Sequence, residues 1–122
     1  MALRFVLDEQ LRGPLAKAVQ RHHLMGDLPL DVVCVGDLAD LPLGSTDPEL
    51  LAWAAKADRL LVSEDRSTMQ THLESHLLSG LHSPGVLLIR PHSTIPEVLS
   101  FLILVAHASR ADEWADGVHY IP

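Results

Sequence analysis

Carboxylates follow three of the apolar runs in this sequence, at the point where each run ends. These acids are Asp8 and Glu9 after residues 3–7, Asp37 after residues 31–35, and Glu64 and Asp65 after residues 59–63. If the runs are parallel strands, their carboxyl ends meet at one edge of a sheet. Asp47 opens a helical stretch before the third run and can reach the same edge. The pattern therefore predicts a cluster of carboxylates at that edge.

Such a cluster has a specific chemical use. Ionised carboxylates packed together repel one another unless a cation neutralises them. Mg²⁺ and Mn²⁺ prefer oxygen ligands, and in two-metal phosphodiesterases they activate a water and stabilise the leaving oxygen. We therefore expect Mg²⁺ or Mn²⁺ as the cofactor and phosphodiester hydrolysis as the reaction. The expected ligands are Asp8, Asp47 and Asp65, which are also the expected catalytic residues, with Asp37 as a weaker fourth ligand.

Two arginines are the cations best placed to touch a substrate phosphate. Arg12 stands early in the first helical stretch, and Arg66 follows Asp65 directly. We expect both to contribute weakly to substrate binding. Whether Glu9 or Glu64 joins the metal site is open at this point.

Most of these acids also have a structural alternative. Asp8 can cap the first helix, and Asp47, with Pro48 and Glu49 after it, fits a helix N-terminus. Asp37 follows a glycine and can be a turn residue. Asp65 has no such alternative if Ser67 caps the next helix. His72 and His76 have the spacing of zinc ligands on a helix, but without a third ligand they are expected to be surface or boundary residues.

Strand-like and helical patterns alternate along the whole chain. Beyond the three runs, the predicted elements are helices over 9–22 and 48–56, a helix from 67 to about 79, strand 86–89, a helix after 94 and a short strand over 118–121. Two capping boxes support helix starts, one at Ser67 and one at Thr94. Near-continuous apolar strands between helices predict a doubly wound α/β fold, with a parallel sheet covered on both faces. With 122 residues, one domain over 1–122 is expected.

Charge and composition restrict the partners. The formal net charge is −7, whereas a non-specific duplex binder normally has a basic surface. The one cysteine, Cys34, cannot form an intramolecular disulfide, and the longest apolar stretch, 101–106, is too short to span a membrane. We expect a cytoplasmic protein with no membrane association.

The sequence resembles a family of small PIN-like domains. The resemblance covers nearly the whole chain in order: LRFVLDEQL, VGDL, STDPELLAWAAKADRLLVSEDRSTM, SPGVLLIR and ADEWADGVHYIP. It implies a three-layer α/β/α PIN-type fold, with a mainly parallel central sheet of four to five strands and an acidic Mg²⁺/Mn²⁺ site. By position the family's acids fall on Asp8, Asp37, Asp47 and Asp65. The chain departs from the family at Ser63-Glu64, where relatives often carry Thr-His.

The same resemblance implies a function and partners. The family is similar to the toxin nucleases of bacterial toxin–antitoxin pairs, which makes RNA the expected substrate and a small antitoxin-like protein an expected partner. Members of such families often pair. The apolar stretch 98–106 can supply a homodimer interface or be fully buried.

Two other functions remain open from the sequence. In a receiver-like domain, Asp8 and Glu9 would bind Mg²⁺ and Asp65 would accept a phosphoryl group, with Arg90 where such domains usually have lysine. The third alternative is a catalytically inactive protein-interaction module, which the low basic content favours.

Overall fold

The computed structural model describes residues 2–26 and 28–121. Within these residues, five strands and four α-helices alternate. The strands are β1 (Phe5–Leu7), β2 (Val32–Cys34), β3 (Leu60–Ser63), β4 (Val86–Ile89) and β5 (Val118–Ile121). The helices are α1 (Pro14–Met25), α2 (Asp47–Ala57), α3 (Met69–Leu78) and α4 (Ile95–Ala108), with 3₁₀ turns at Glu9–Leu11 and Ala111–Glu113.

The strands form one all-parallel sheet in the order β2-β1-β3-β4-β5. The chain leaves β1 toward β2 and then crosses back over β1 to β3, so the direction of winding reverses between β1 and β3. In open α/β sheets ligands bind beyond the carboxyl ends of the strands at such a reversal. The predicted parallel α/β fold is confirmed, and the reversal lies where Asp8 and Asp65 follow their strands.

Alternate strand residues enter two separate hydrophobic clusters, because successive side chains of a strand point to opposite faces. Phe5 and Leu7 pack in one cluster with side chains of α1 and α4, whereas Val6 packs in the other with side chains of α2 and α3. Leu60 and Leu61 divide between the clusters in the same way. The side chains of the sheet thus divide between two sets of helices, α1 with α4 and α2 with α3.

Several predicted boundaries agree with the structure. Strands 86–89 and 118–121 have the predicted limits, and Thr94 caps α4 in a complete capping box with Glu97. The predicted helix over 9–22 is wrong at its start. A 3₁₀ turn occupies Glu9–Leu11, and α1 begins only at Pro14. Proline lacks an N–H and fits the first position of a helix, so Pro14 starts α1. A continuous helix over 9–22 would instead have to contain this proline in its interior.

No helix in residues 2–26 or 28–121 is both long and apolar enough to cross a membrane. The stretch 98–106 lies within α4, where Val98, Leu102 and Val105 are buried against the sheet, while Leu104 is 58% exposed. Most of its apolar face is therefore part of the core.

Candidate functional site

Asp8 lies at the reversal point, at the carboxyl end of β1. Leu7 pairs with Val62 in the sheet, and the Asp8 N–H donates to the Val62 carbonyl over 2.9 Å. This register places Asp8 beside Ser63, the last residue of β3. The residue is only 7% exposed, which is unusual for an aspartate.

Two hydrogen bonds hold the Asp8 carboxylate. Oδ1 accepts the Glu9 N–H over 2.7 Å, and Oδ2 accepts the Ser63 hydroxyl over 2.8 Å. Burial raises the pKa of Asp8 above its ordinary value, and the nearby charges of Asp47 and Asp65 raise it further, while these two hydrogen bonds lower it. The net effect of these causes disfavours the charged form of Asp8.

Ser63 connects Asp8 to Asp65. Its hydroxyl donates to Asp8 and also accepts the Asp65 N–H over 3.1 Å, and the side chain is fully buried. The hydroxyl therefore sets the position of one carboxylate and of the backbone that carries the next. Its place as the last strand residue, two before Asp65, is the sequence signal that could have identified it.

Thr68 connects Asp65 to Asp47. Its Oγ1 lies 2.6 Å from Asp65 Oδ2 and 3.2 Å from Asp47 Oδ2, although a hydroxyl has only one hydrogen to donate. The shorter contact is the stronger hydrogen bond, and the two carboxylates lie on either side of the same oxygen. Sequence reasoning missed this residue, since the contact with Asp47 spans 21 positions.

The expectation that Asp65 has no structural role is wrong. Ser67 does not cap α3. Asp65 Oδ1 instead accepts the N–H groups of Ser67 and Thr68 over 3.2 and 3.3 Å, and also the Ser67 hydroxyl. The Thr68 hydroxyl bond, followed by the Ser67 and Thr68 bonds, lowers the pKa of Asp65. Asp65 thus supports the start of α3 as well as facing the acidic site.

Asp47, in contrast, is not the cap of α2. Thr46 takes that position and forms the capping box with Glu49, so Asp47 is the first residue inside the helix. Its carboxylate contacts the Thr68 hydroxyl and lies 3.7 Å from Nε2 of His72. His72 is a site residue that its spacing with His76 did not reveal; His76 is buried and bonds the His82 carbonyl instead.

Asp37 and Arg12 pair with each other. Arg12 Nη1 lies 2.9 Å from Asp37 Oδ1 and also donates to the Val35 carbonyl, while Asp37 Oδ2 accepts the Cys34 N–H. Among the described contacts, Asp37 shares no hydrogen bond with the other three aspartates. It therefore has the turn role that its position after Gly36 allowed.

The remaining acids and cations lie around the site. Glu9 is exposed, and its Oε1 accepts the Gly44 N–H over 2.7 Å, which ties the loop before α2 to the end of β1. Glu64 and Arg66 are exposed. Arg90 follows β4, and its guanidinium lies 5.2 Å from the centre of the Tyr120 ring on β5.

The three aspartates suit a hard divalent cation in their chemistry, because they offer only carboxylate oxygens. Within the described residues, no three His, Cys, Asp or Glu side chains converge closely enough to hold a metal ion as they stand. A cation would therefore need at least one carboxylate to rotate. Asp47 is the one with the fewest hydrogen bonds to break.

Comparison with known proteins yields no relative. No protein-family model, curated protein or solved structure matches the chain. The PIN-like relationship accordingly stays a prediction from the sequence.

Proposed function

We propose that this domain is a metal-dependent phosphodiesterase acting on RNA, with Asp8, Asp47 and Asp65 as ligands of Mg²⁺ or Mn²⁺. The observation that carries the proposal is the setting of Asp8. A buried carboxylate has two further carboxylates near enough to raise its pKa, at the point of the sheet where α/β proteins bind ligands. A bound divalent cation would offset both the burial and the repulsion.

The neighbouring hydroxyls support the same function. Ser63 and Thr68 orient the carboxylates through short hydrogen bonds and carry no charge that would compete with a cation. Groups that hydrogen-bond to metal ligands and orient them commonly tune the affinity for the metal. When bound, the ion would lower the pKa of a coordinated water and stabilise charge on a phosphodiester oxygen.

His72 is the residue next to the site that can carry a proton. Its Nε2 lies 3.7 Å from Asp47 Oδ2, and the ring is partly exposed. An imidazole beside a metal ligand can act as a general acid in the hydrolysis of a phosphodiester. His72→Gln is therefore expected to reduce cleavage without abolishing metal binding.

The first test is calorimetric titration of Mn²⁺ into the wild-type protein and two variants. Asp47→Asn is the better probe than Asp65→Asn, because Asp65 also supports the start of α3, whereas Asp47 caps nothing. Asp112→Asn is the matched control, since this exposed aspartate pairs with Arg110 outside the site. Thermal denaturation of each variant shows that the fold is retained.

Saturable Mn²⁺ binding that Asp47→Asn weakens at least tenfold and Asp112→Asn leaves unchanged is the expected result. Cleavage of single-stranded RNA in Mn²⁺, with the same variants, then tests the reaction. Absence of binding by the wild-type protein would overturn the proposal and leave the interaction module as the function to pursue.

A further inference from the structure

A groove of about 540 Å³ runs between helix α1 and the edge strand β2. Arg12, Lys17, Gln20 and His23 line one side of it. All four are exposed. The lining residues of α1 run from Ala16 to His23, so this part of the wall is about 12 Å long.

This side of the protein has an unusual charge. Between Glu9 and Asp27 the sequence contains no acidic residue but three of the nine Lys and Arg, together with His22 and His23. Each of the other three helices contains at least one Asp or Glu. In a chain of net charge −7, α1 is therefore the positive helix.

The acids that border the groove are already paired. Asp37 binds Arg12, and Asp31 binds Arg59 over 2.8 Å. Among the described residues Lys17 has no carboxylate within salt-bridge distance, so its charge is available to a ligand. The paired acids leave the groove neutral to positive, in contrast to the rest of the surface.

The groove ends near the candidate site in the sheet. Leu7, which directly precedes Asp8, lines it together with Cys34 and Asp37 at the carboxyl end of β2. A polyanion lying along α1 toward that end would arrive one strand away from Asp8.

We propose that the α1–β2 groove binds the sugar–phosphate backbone of a single-stranded nucleic acid and leads it to the acidic site. That the groove leads the nucleic acid to the acidic site rests on the proposed function, whereas binding of the nucleic acid to the groove does not. The positive side chains of the groove lie along one helix and the turn before it, which suits the single backbone of one strand better than the two backbones of a duplex. None of the described residues that line it is Phe, Trp or Tyr, so phosphate contacts rather than base stacking supply the affinity.

Affinity should depend on salt as expected for few phosphate contacts. Arg12 is already paired with Asp37, so Lys17 is the cation that counts. If Lys17 neutralises one phosphate, the logarithm of the association constant falls with the logarithm of salt concentration with a slope of about −0.7 for a single strand. Loss of the Lys17 contact should reduce the magnitude of that slope by about 0.7.

The test is fluorescence anisotropy with a labelled single-stranded RNA of about 12 nucleotides. EDTA is present, so that neither cleavage nor a bound cation contributes. Wild type, Lys17→Glu and Lys56→Glu are compared. Both substitutions change the net charge equally, but Lys56 is exposed on α2, whose side chains pack in the other hydrophobic cluster.

Lys17→Glu is expected to weaken binding about tenfold and to flatten the salt dependence, with Lys56→Glu close to wild type. Equal losses in both variants would show that net charge alone matters, and would overturn the groove as the binding surface, as would absence of binding by the wild type. The Mn²⁺ titration is independent of these results. Each proposal is therefore tested by its own measurement, and the failure of one does not decide the other.

Discussion

The Ser63 hydroxyl donates to Asp8 Oδ2 over 2.8 Å across the reversal point of the sheet, and both residues are buried. It is a neutral donor to a carboxylate that burial and two neighbouring acids already disfavour in its charged form. The pair therefore joins the end of β1 to the end of β3 beside two further carboxylates, Asp47 and Asp65.

Removing that hydroxyl should destabilise the protein. Ser63→Ala leaves Asp8 Oδ2 without its donor, and the expected loss in the free energy of unfolding is about 1–3 kcal/mol. Urea denaturation measures it. In the Asp8→Asn background the same substitution should cost less, because a hydrogen bond to a neutral amide is weaker than one to a charged group. Equal costs in both backgrounds would contradict a special Ser63–Asp8 interaction.

The Thr68 hydroxyl should control the ionisation of Asp65. Its bond to Asp65 Oδ2 is the largest cause that lowers the pKa of this carboxyl. Thr68→Val keeps the shape of the side chain but removes the donor, so the pKa of Asp65 should rise toward its ordinary value. Thr68→Ser keeps the donor and should leave the pKa unchanged. A carbon-detected NMR titration of the aspartate carboxyls separates the two, and a pKa that does not move in Thr68→Val would contradict the prediction.

The charge of Asp8 should lower the stability of the metal-free protein at neutral pH. Because its folded-state pKa is raised, the folded state binds a proton more tightly than the unfolded chain. Stability should therefore fall as pH rises from the ordinary aspartate value through the folded pKa. Asp8→Asn removes the charge, so in EDTA it is expected to be at least as stable as wild type at neutral pH.

The advantage of Asp8→Asn should shrink toward pH 4, close to the ordinary aspartate value, because the raised folded-state pKa favours the neutral carboxyl there. Thermal denaturation at both pH values measures this, with Asp112→Asn as the control for loss of an exposed aspartate. If Asp8→Asn were less stable than wild type by the same amount at both pH values, the charge of Asp8 would not oppose folding.

The sequence predicted the sheet better than it predicted the caps. Strands such as Val86–Ile89 are apolar runs bounded by a turn and a charged residue, so residue type alone marks their ends. The cap of α2 was placed one residue late, at Asp47 instead of Thr46, because both residue types favour that position. Only the backbone conformation distinguishes two adjacent candidates.

The candidate site was predicted in its acids but not in its connections. Strand ends indicated Asp8 and Asp65 because a parallel sheet fixes where they meet. The roles of the Ser63 and Thr68 hydroxyls were not predicted, because serine and threonine are common at helix starts and strand ends. Their contacts with Asp8 and Asp47 span 55 and 21 positions, which no local pattern encodes.

Gly85, which precedes β4, should be intolerant of any side chain. Its φ is +128°, and a Cβ there would lie 2.5 Å from the Trp114 carbonyl oxygen, a backbone atom that cannot rotate away. Gly85→Ala therefore combines backbone strain with a steric clash, and we expect a loss of at least about 2 kcal/mol in the free energy of unfolding. Gly80→Ala is the matched control, because Gly80 also has a positive φ, +84°, but open space around the position of a Cβ. It should lose only the strain contribution, about 1 kcal/mol. Urea denaturation measures the loss of unfolding free energy in both variants, and equal losses would contradict the clash.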